Sequence, residues 1–468
     1  MKEKLPKTLA DFMRAHWAPG QRLLLGLSGG PDSLALLHLL LNYAQQIHPT
    51  TLPLELAHVD HRWRAESSAE AEQLAQLATQ LNLPFHLKTL DPTQLTGNLE
   101  DACRQERLNF FKRLSDDQGC YAVLLGHHAD DQAETVLKRL FEGASLPYLG
   151  GLKSENMWEG LRIWRPLLSC RKSDILAWLK TQQLTAFDDA TNRDVAYMRG
   201  RMRAQILPTL TEQFGKEIST ALCAIGWEAQ ELYQYLQERI APYLDRVERS
   251  ENGLLLDFSE HSLPALLEVK HIVRLVTKEM GFQLSKEGLA NVSELILSGK
   301  ANKQVSVGST FISVDRKRLF VWKHLMADIL DRRPLQEGVF QQGSWKISVT
   351  NQDQDSLPIV SRKGWKQVWR GYLEVTIPQG TYFIGEAVSQ APYHQGGTID
   401  KWWTDHKVPA CFRKQVPVIW RDGEVYEEFL TVSLNPPLKD GLKPCYINEE
   451  KWIRIIMERS VSVFLRRS

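Results

Sequence analysis

The sequence has little cysteine, no long apolar run and no excess of either charge sign, and each shortage removes a class of protein. Six cysteines in 468 residues, none in a C-x-x-C pair, argue against a disulfide scaffold and against zinc or iron–sulfur ligation, and fit reduced thiols in the cytoplasm. The richest apolar run, Leu34 to Leu41, is interrupted by His38 and is too short to span a bilayer. The start, MKEKLPKTLADFMRAHW, has basic residues but lacks the apolar core of a signal peptide. Lys and Arg total 57 against 56 Asp and Glu, so a nucleic-acid partner has to be argued from local patches. Neither G-x-x-x-x-G-K-[ST] nor G-x-G-x-x-G occurs, which disfavours Walker NTPases and dinucleotide sites. No internal repeat or low-complexity tract is evident.

What remains is ordinary globular composition, 43% hydrophobic and 24% charged. The length exceeds what one core usually holds, so two or three domains are expected. From Gln21 to Leu140, short apolar runs alternate with helix-period stretches, the pattern of βαβ units on a parallel sheet. Strands are predicted at Arg22–Leu27, Leu54–Val59, Phe85–Leu90 and Tyr121–Gly126. Helices are predicted at Pro31–Tyr43, Ser67–Leu81, Leu99–Leu114 and after Glu134, the last carrying Val136, Leu137 and Leu140 inward. Such a doubly wound α/β core places ligands at the carboxyl ends of its strands. Beyond Pro166 the texture turns helical, with Asp174–Lys180 and a stretch from Thr209 to Val247. A strand at Leu254–Phe258, helices at Leu263–Met280 and Lys286–Leu297, and a hairpin-like Gln304–Val321 follow. Eight of the 14 tryptophans lie from Trp322 onward, in a β-containing terminal part. The expected domains are 1–215, 216–330 and 331–468.

The most informative segment is Leu23-Leu-Leu-Gly-Leu-Ser-Gly-Gly-Pro-Asp-Ser33, a strand entering a glycine-rich turn that opens a helix. Gly29 and Gly30 allow close backbone approach to a phosphate, while Ser28 and Ser33 add hydroxyl donors and Pro31 suits the first helical turn. Taken alone, the turn could equally be an ordinary βα connection capped by Asp32 or Ser33.

This turn matches the S-G-G-x-D-S loop of the PP-loop ATP pyrophosphatases, and within that superfamily the chain most closely resembles the tRNA(Ile)-lysidine synthetase family. The matches continue in order with Ala57-His-Val-Asp-His61 followed by Arg64 and Glu66-Ser67. Next comes Asn98-Leu-Glu-Asp-Ala-Cys-Arg104 with Arg107, where Cys103 stands for the family's alanine, and then Gly126-His-His-Ala-Asp-Asp-Gln-Ala-Glu-Thr135. A fifth block, Phe187-Asp-Asp-Ala-Thr-Asn-Arg-Asp194 with Tyr197, Arg199, Arg201 and Arg203, resembles the family's D-x-T-N stretch and arginine-rich helix. Gly200 departs from a usual asparagine there, and Glu142-Gly-Ala-Ser-Leu from R-G-x-G-L. Near the end, Gly396-Gly397 and Lys401 through Arg413 resemble the terminal tRNA-binding motif.

Each block also has a plainer reading. His58 and His61 could be satisfied loop polars; Asp130, Asp131 and Glu134 could simply favour a helix dipole; the arginine run could be a solvated face; and Trp402, Trp403, Phe412 and Trp420 are expected to be core. Four blocks at successive strand ends of one sheet are harder to attribute to packing.

The resemblance implies ATP-dependent joining of free L-lysine to the wobble cytidine of tRNA(Ile) with a CAU anticodon, through an adenylated cytidine, with release of pyrophosphate and AMP. It implies ATP held by Ser28, Gly29, Gly30, Pro31, Asp32, Ser33 and His58, and Mg2+ near Asp32 and Asp130. Catalytic positions would be Asp32, Asp130, Asp131 and Glu134, with Asp130 and Glu134 on one helix face. Contacts to tRNA would come from Arg104, Arg107, Arg199, Arg201, Arg203, Lys401 and Arg413. No membrane partner is expected, the location is cytoplasmic, and a homodimer is admitted. The rivals are a tRNA thiolase, which would favour motif-placed cysteines, a small-molecule amidating synthetase, and an RNA-binding module without chemistry.

Overall fold

The computed structural model describes residues 4–47, 52–62, 67–91, 99–186, 198–259, 262–308, 310–323, 331–353, 361–432 and 451–459. The chain divides into two compact units, residues 1–235 and 236–468, with the division inside a helix, Ile218–Leu244.

The first unit is the predicted doubly wound α/β fold. Its strands are β1 (Leu23–Gly26), β2 (Leu54–Asp60), β3 (Phe85–Thr89), β4 (Ala122–Leu124), β5 (Glu155–Trp158) and β6 (Leu161–Trp164), in spatial order β3-β2-β1-β4-β6-β5. All neighbours are parallel except the β5–β6 hairpin at one edge. The leucines of β1 are fully buried, as a central strand covered on both faces requires.

The helices are α1 (Lys4–His16), α2 (Pro31–Gln46), α3 (Ser67–Gln80), α4 (Leu99–Gln118), α5 (Ala129–Phe141) and α6 (Lys172–Thr181). The first adds to the predicted set: Leu5, Leu9 and Met13 recur every fourth residue and bury one stripe against the core that contains α2 and α6. In α5, Val136 and Leu137 face inward as predicted, but Leu140 is 47% exposed. Its helical spacing does place it on the stripe of Ala133, Val136 and Leu137. The stripe, however, is covered by Leu207, Leu222 and Cys223, and Leu140 stands a turn further on, at the end of the helix, past the side chains that cover the others.

Because β1 is flanked by β2 on one side and β4 on the other, chain direction across the sheet reverses there, and the crevice at the carboxyl ends of β1 and β4 is the expected ligand position. After α6 come α7 (Met198–Arg201), a π-helical turn at Met202–Ile206, α8 (Leu207–Phe214) and α9 (Ile218–Leu244).

The second unit begins with an antiparallel five-stranded sheet, 248–250, 253–257, 318–322, 310–315 and 303–307 in spatial order, covered on one face by helices Leu266–Glu279 and Lys286–Ser298. The predicted hairpin is thus a three-stranded meander. Its other face carries Phe311, Phe320 and Trp322 into a core with Trp345, Trp369 and Phe412 from the terminal part. There a second five-stranded sheet places Lys451–Arg459 at its centre, between Trp345–Asp353 and Tyr372–Pro378. No helix of the described residues is long and apolar enough to cross a membrane.

Candidate active site at the switch point of the sheet

The loop after β1 is built to present backbone. Gly29 sits at φ +84°, a conformation that glycine adopts without strain, and Gly30 precedes α2 in extended geometry with Pro31 in its first turn. Ser33, buried, donates to the Gly30 carbonyl at 3.1 Å, and its Oγ receives the Ser28 N–H at 3.1 Å and lies 3.0 Å from the Ser28 hydroxyl. The two serines therefore hold the turn closed. Gly126, just beyond β4, completes the cradle from the neighbouring strand: a Cβ there would lie 2.9 Å from the Asp32 carbonyl carbon and 3.0 Å from the Ser33 nitrogen. On the other side, His58 bonds through Nδ1 to the Leu27 carbonyl at 2.8 Å, which leaves its Nε2 as the acceptor in the neutral ring, and burial lowers its pKa.

Helix α5 brings three carboxylates to the same end. Asp131 accepts the His128 N–H at 3.0 Å, and His128 Nδ1 accepts the Asp130 N–H at 3.2 Å, so the helix start is capped from both directions. Asp130 turns toward α6, accepting the Lys172 N–H at 2.8 Å with Arg171 at 3.3 Å. Burial works to raise its pKa, but these partners and His128 outweigh it and bring the value down to about 2. Asp32 is gripped by Lys172, whose Nζ reaches its two oxygens at 2.6 and 2.7 Å.

Asp131 and Glu134 share one guanidinium. Arg203, projecting from the π-helical turn, reaches Asp131 at 2.7 Å and also bonds Glu134. Two buried carboxylates for one cation leave a deficit. Burial and the Asp131 charge raise the Glu134 pKa despite the Arg203 bond, and its Oε2 is buried without a hydrogen-bond partner. The structure thus pairs Asp131 with Glu134, while Asp130, expected on the Glu134 face, serves α6.

A positive cluster adjoins this crevice. It is formed by Arg104, Arg107, Arg165 and Arg199: burial first, then Arg104 and Arg199, lowers Arg107 to about 10, and burial first, then Arg104, lowers Arg165 to about 10. Between them His127, lowered to about 3 by burial, accepts from Arg165 Nε at 3.2 Å. A polyanion is the natural counterpart of such a cluster.

Residues 1–210 match the family model described as a PP-loop domain. Over 435 residues, 92% of this chain and 94% of the relative, the sequence is 38% identical to a tRNA(Ile)-lysidine synthase of Protochlamydia amoebophila. The chain belongs to the tRNA(Ile)-lysidine synthase family. A second relative, from Chlamydia trachomatis serovar L2, bears the same name and is 36% identical over 60% of this chain and 85% of its own. Among solved structures, a U34-tRNA thiolase from Methanococcus maripaludis aligns with 54% of this chain and 83% of its own at 19% identity and a TM-score of 0.39.

Several family-motif residues sit where the sequence reading placed them on the fold, and others act differently. Arg104, Arg107, Arg199, Arg201 and Arg203 are all half-buried, so none is simply a solvated charge. Arg64, Glu66, Asn98, the 187–194 block and Tyr197 lie outside the described residues. In the second unit Lys401 is exposed, whereas Arg413 is turned inward, bonding the Val408 carbonyl at 2.9 Å and Thr404 at 3.2 Å. Trp403, Phe412 and Trp420 are buried core, as expected, with Trp402 half-buried against it. Sequence reasoning missed Arg165, Arg171 and Lys172. One signal was present: basic residues at the start of α6 oppose the helix dipole, an arrangement that calls for acidic partners such as Asp130 and Asp32.

Proposed function

We propose that this protein joins free L-lysine to the wobble cytidine of tRNA(Ile) bearing a CAU anticodon, forming lysidine in an ATP-dependent reaction and changing decoding from AUG to AUA. The observation that carries the reading is the 38% identity to a tRNA(Ile)-lysidine synthase across 92% of the chain, and the geometry of the phosphate loop agrees with it. In this reading the loop 28–33 receives the ATP phosphates on backbone N–H groups and serine hydroxyls. The carbonyl oxygen carried by the cytosine ring attacks the α-phosphorus and pyrophosphate leaves. The lysine amine then attacks the ring carbon that bears this adenylated oxygen, and its C–O bond breaks to release AMP.

The acidic residues divide these tasks. Lysine attacks only as a neutral amine, and Glu134, the carboxylate with the raised pKa, is assigned the removal of its proton. Asp131 holds Arg203, and Asp130 fixes the start of α6 against the loop. If Mg2+ binds with the nucleotide, Asp32 would be the residue to hold it, since magnesium needs only one or two carboxylates beside phosphate oxygens and water, and among the described residues no three acidic, His or Cys groups could cage a metal on their own. Such an ion would offset charge on the phosphates. The arginine cluster and Lys401 are assigned to tRNA, and the reaction to the cytoplasm.

The test is transfer of labelled lysine to a tRNA(Ile) CAU transcript with ATP and magnesium. Label in the wobble nucleoside, absent without ATP and absent for Asp32→Ala, is the expected result. Folded protein that hydrolyses ATP yet leaves the tRNA unlabelled would overturn the reading in favour of a small-molecule synthetase.

A further inference from the structure

Arg165 differs from the other arginines of the cluster in being buried, 4% exposed, with its guanidinium spent on protein acceptors. Its Nη1 donates to the Lys153 carbonyl at 2.9 Å and to the side-chain oxygen of Asn156, and its Nε donates to His127 Nδ1 at 3.2 Å. A guanidinium has only donors, and a neutral imidazole has one donor and one acceptor. Nδ1 therefore carries the lone pair, and the single ring proton sits on Nε2. The surroundings keep the ring neutral. Burial, with Arg165, Arg107 and Arg104 adding to it against Asp131, lowers the His127 pKa to about 3.

The fixed Nε2–H is available to a ligand. His127 is half-buried, and its Nε2 has no hydrogen-bond partner among the described residues while keeping solvent-accessible surface. The ring also stands at the junction of the site. It follows Gly126, which abuts the phosphate loop at Asp32 and Ser33, and it precedes His128, whose Nε2 lies 3.7 Å from Asp32. The charges of Arg104 and Arg107 act on it from the cluster. On the function proposed above, the cytosine that takes AMP from the nucleotide has to lie between the phosphate loop and the arginines that hold the tRNA, and His127 occupies that interval.

We propose that His127 reads the pairing edge of the wobble cytosine by giving Nε2–H to its N3, and that Arg165 is the positioning residue that makes this contact selective. The inference rests on the lysidine reading above. Cytosine N3 is an acceptor, whereas N3 of uracil carries a proton, so a ring able only to donate pairs with the first base and meets a second donor in the other. Without Arg165 the proton can move to Nδ1, and Nε2 becomes an acceptor that serves uracil as well. A base turned out of its stack is read through its Watson–Crick edge in this way by other enzymes. A site built for one hydrogen-bonding pattern leaves buried groups unpaired with the wrong one, which is the source of its selectivity.

The experiment compares tRNA(Ile) transcripts with CAU and UAU anticodons on the full-length protein, reading single-turnover pyrophosphate release for wild type, Arg165→Met and His127→Leu. Wild type is expected to favour CAU by about a hundredfold, and both variants to bring that ratio below about tenfold. His127→Leu should do so by losing activity on CAU, and Arg165→Met by gaining on UAU relative to CAU. A purely structural role would slow the two transcripts equally and leave the ratio at its wild-type value, which overturns the proposal. Nitrogen-15 spectra of histidine-labelled protein, with His127 assigned from its loss in His127→Leu, test the tautomer without turnover. A protonated Nε2 and a bare Nδ1 are expected in wild type, and a proton on Nδ1 overturns the proposal even if Arg165→Met fails to fold. Lysine transfer to CAU tRNA by wild type, with a ratio that neither variant moves, removes this inference alone. A folded wild type that transfers no lysine removes the inference and the function together.

Discussion

Lys172 is the residue on which the phosphate loop and the α5 acids converge. Its Nζ neutralises Asp32 and its backbone N–H satisfies Asp130, so it couples the loop after β1 to the loop after β4 through a third segment. Lys172→Met keeps the backbone donor and removes only the ammonium. On the proposed reading, which brings the ATP phosphates to this loop, Asp32 is then left as a bare carboxylate that repels them unless a metal compensates. Lysine transfer is expected to fall at least about a hundredfold, with a higher magnesium requirement and little change in melting temperature, because the pair is partly solvent-exposed. A magnesium titration of initial rates checks this; an unchanged rate would show that the ion pair is only structural.

Helix α5 is the element that does most to shape the site, and Asp131 gives it two duties: one carboxylate oxygen caps the helix and the other holds Arg203. The duties can be separated. Asp131→Asn retains an acceptor for the His128 N–H but loses the charge that balances Arg203, so activity should drop and stability should fall by about 1–3 kcal/mol. Asp131→Ala should lose the same activity and a further ~1 kcal/mol from the missing cap, readable by denaturant unfolding. Equal stability of the two variants would remove the cap from the account.

The same element shows what a sequence can and cannot convey. The strand-end histidines and acids were legible because their order along the chain fixes their place on a parallel sheet. Which acid pairs with which cation was not, since Arg203 lies 72 residues from Asp131 and Lys172 lies 42 from Asp130. The helix α1 escaped because its stripe of Leu5, Leu9 and Met13, four residues apart, is interspersed with charges, and the β5–β6 hairpin because Glu155–Trp158 is an edge strand with little apolar alternation. The inward turn of Arg413 depends on a backbone carbonyl at Val408, which leaves no trace in residue type.

At the scale of the whole molecule, the second unit joins its middle and terminal segments through aromatic contact. Phe320 meets Trp369 and Phe412 edge-on, with ring centroids 5.7 and 5.5 Å apart, so residues from the middle and terminal parts of the chain share one core. Phe320→Ala should cost about 3–5 kcal/mol and lower a single calorimetric transition that comprises both parts of this unit. A shift confined to the middle segment, with the terminal sheet melting independently, would show that the shared core does not bind them cooperatively.

The position of Lys451–Arg459 in the second sheet has a consequence for biogenesis. This strand lies at the centre, yet it is translated some 70 residues after the later of the two strands it joins. The first unit has all its strands by residue 164 and can assemble while the ribosome is still elongating. The terminal sheet stays divided, with two unpaired inner edges, until the last described strand emerges. A chain interrupted before residue 451 would therefore carry a complete phosphate loop on a nascent product whose second unit cannot close, a species exposed to chaperones and proteases before it could act on any tRNA.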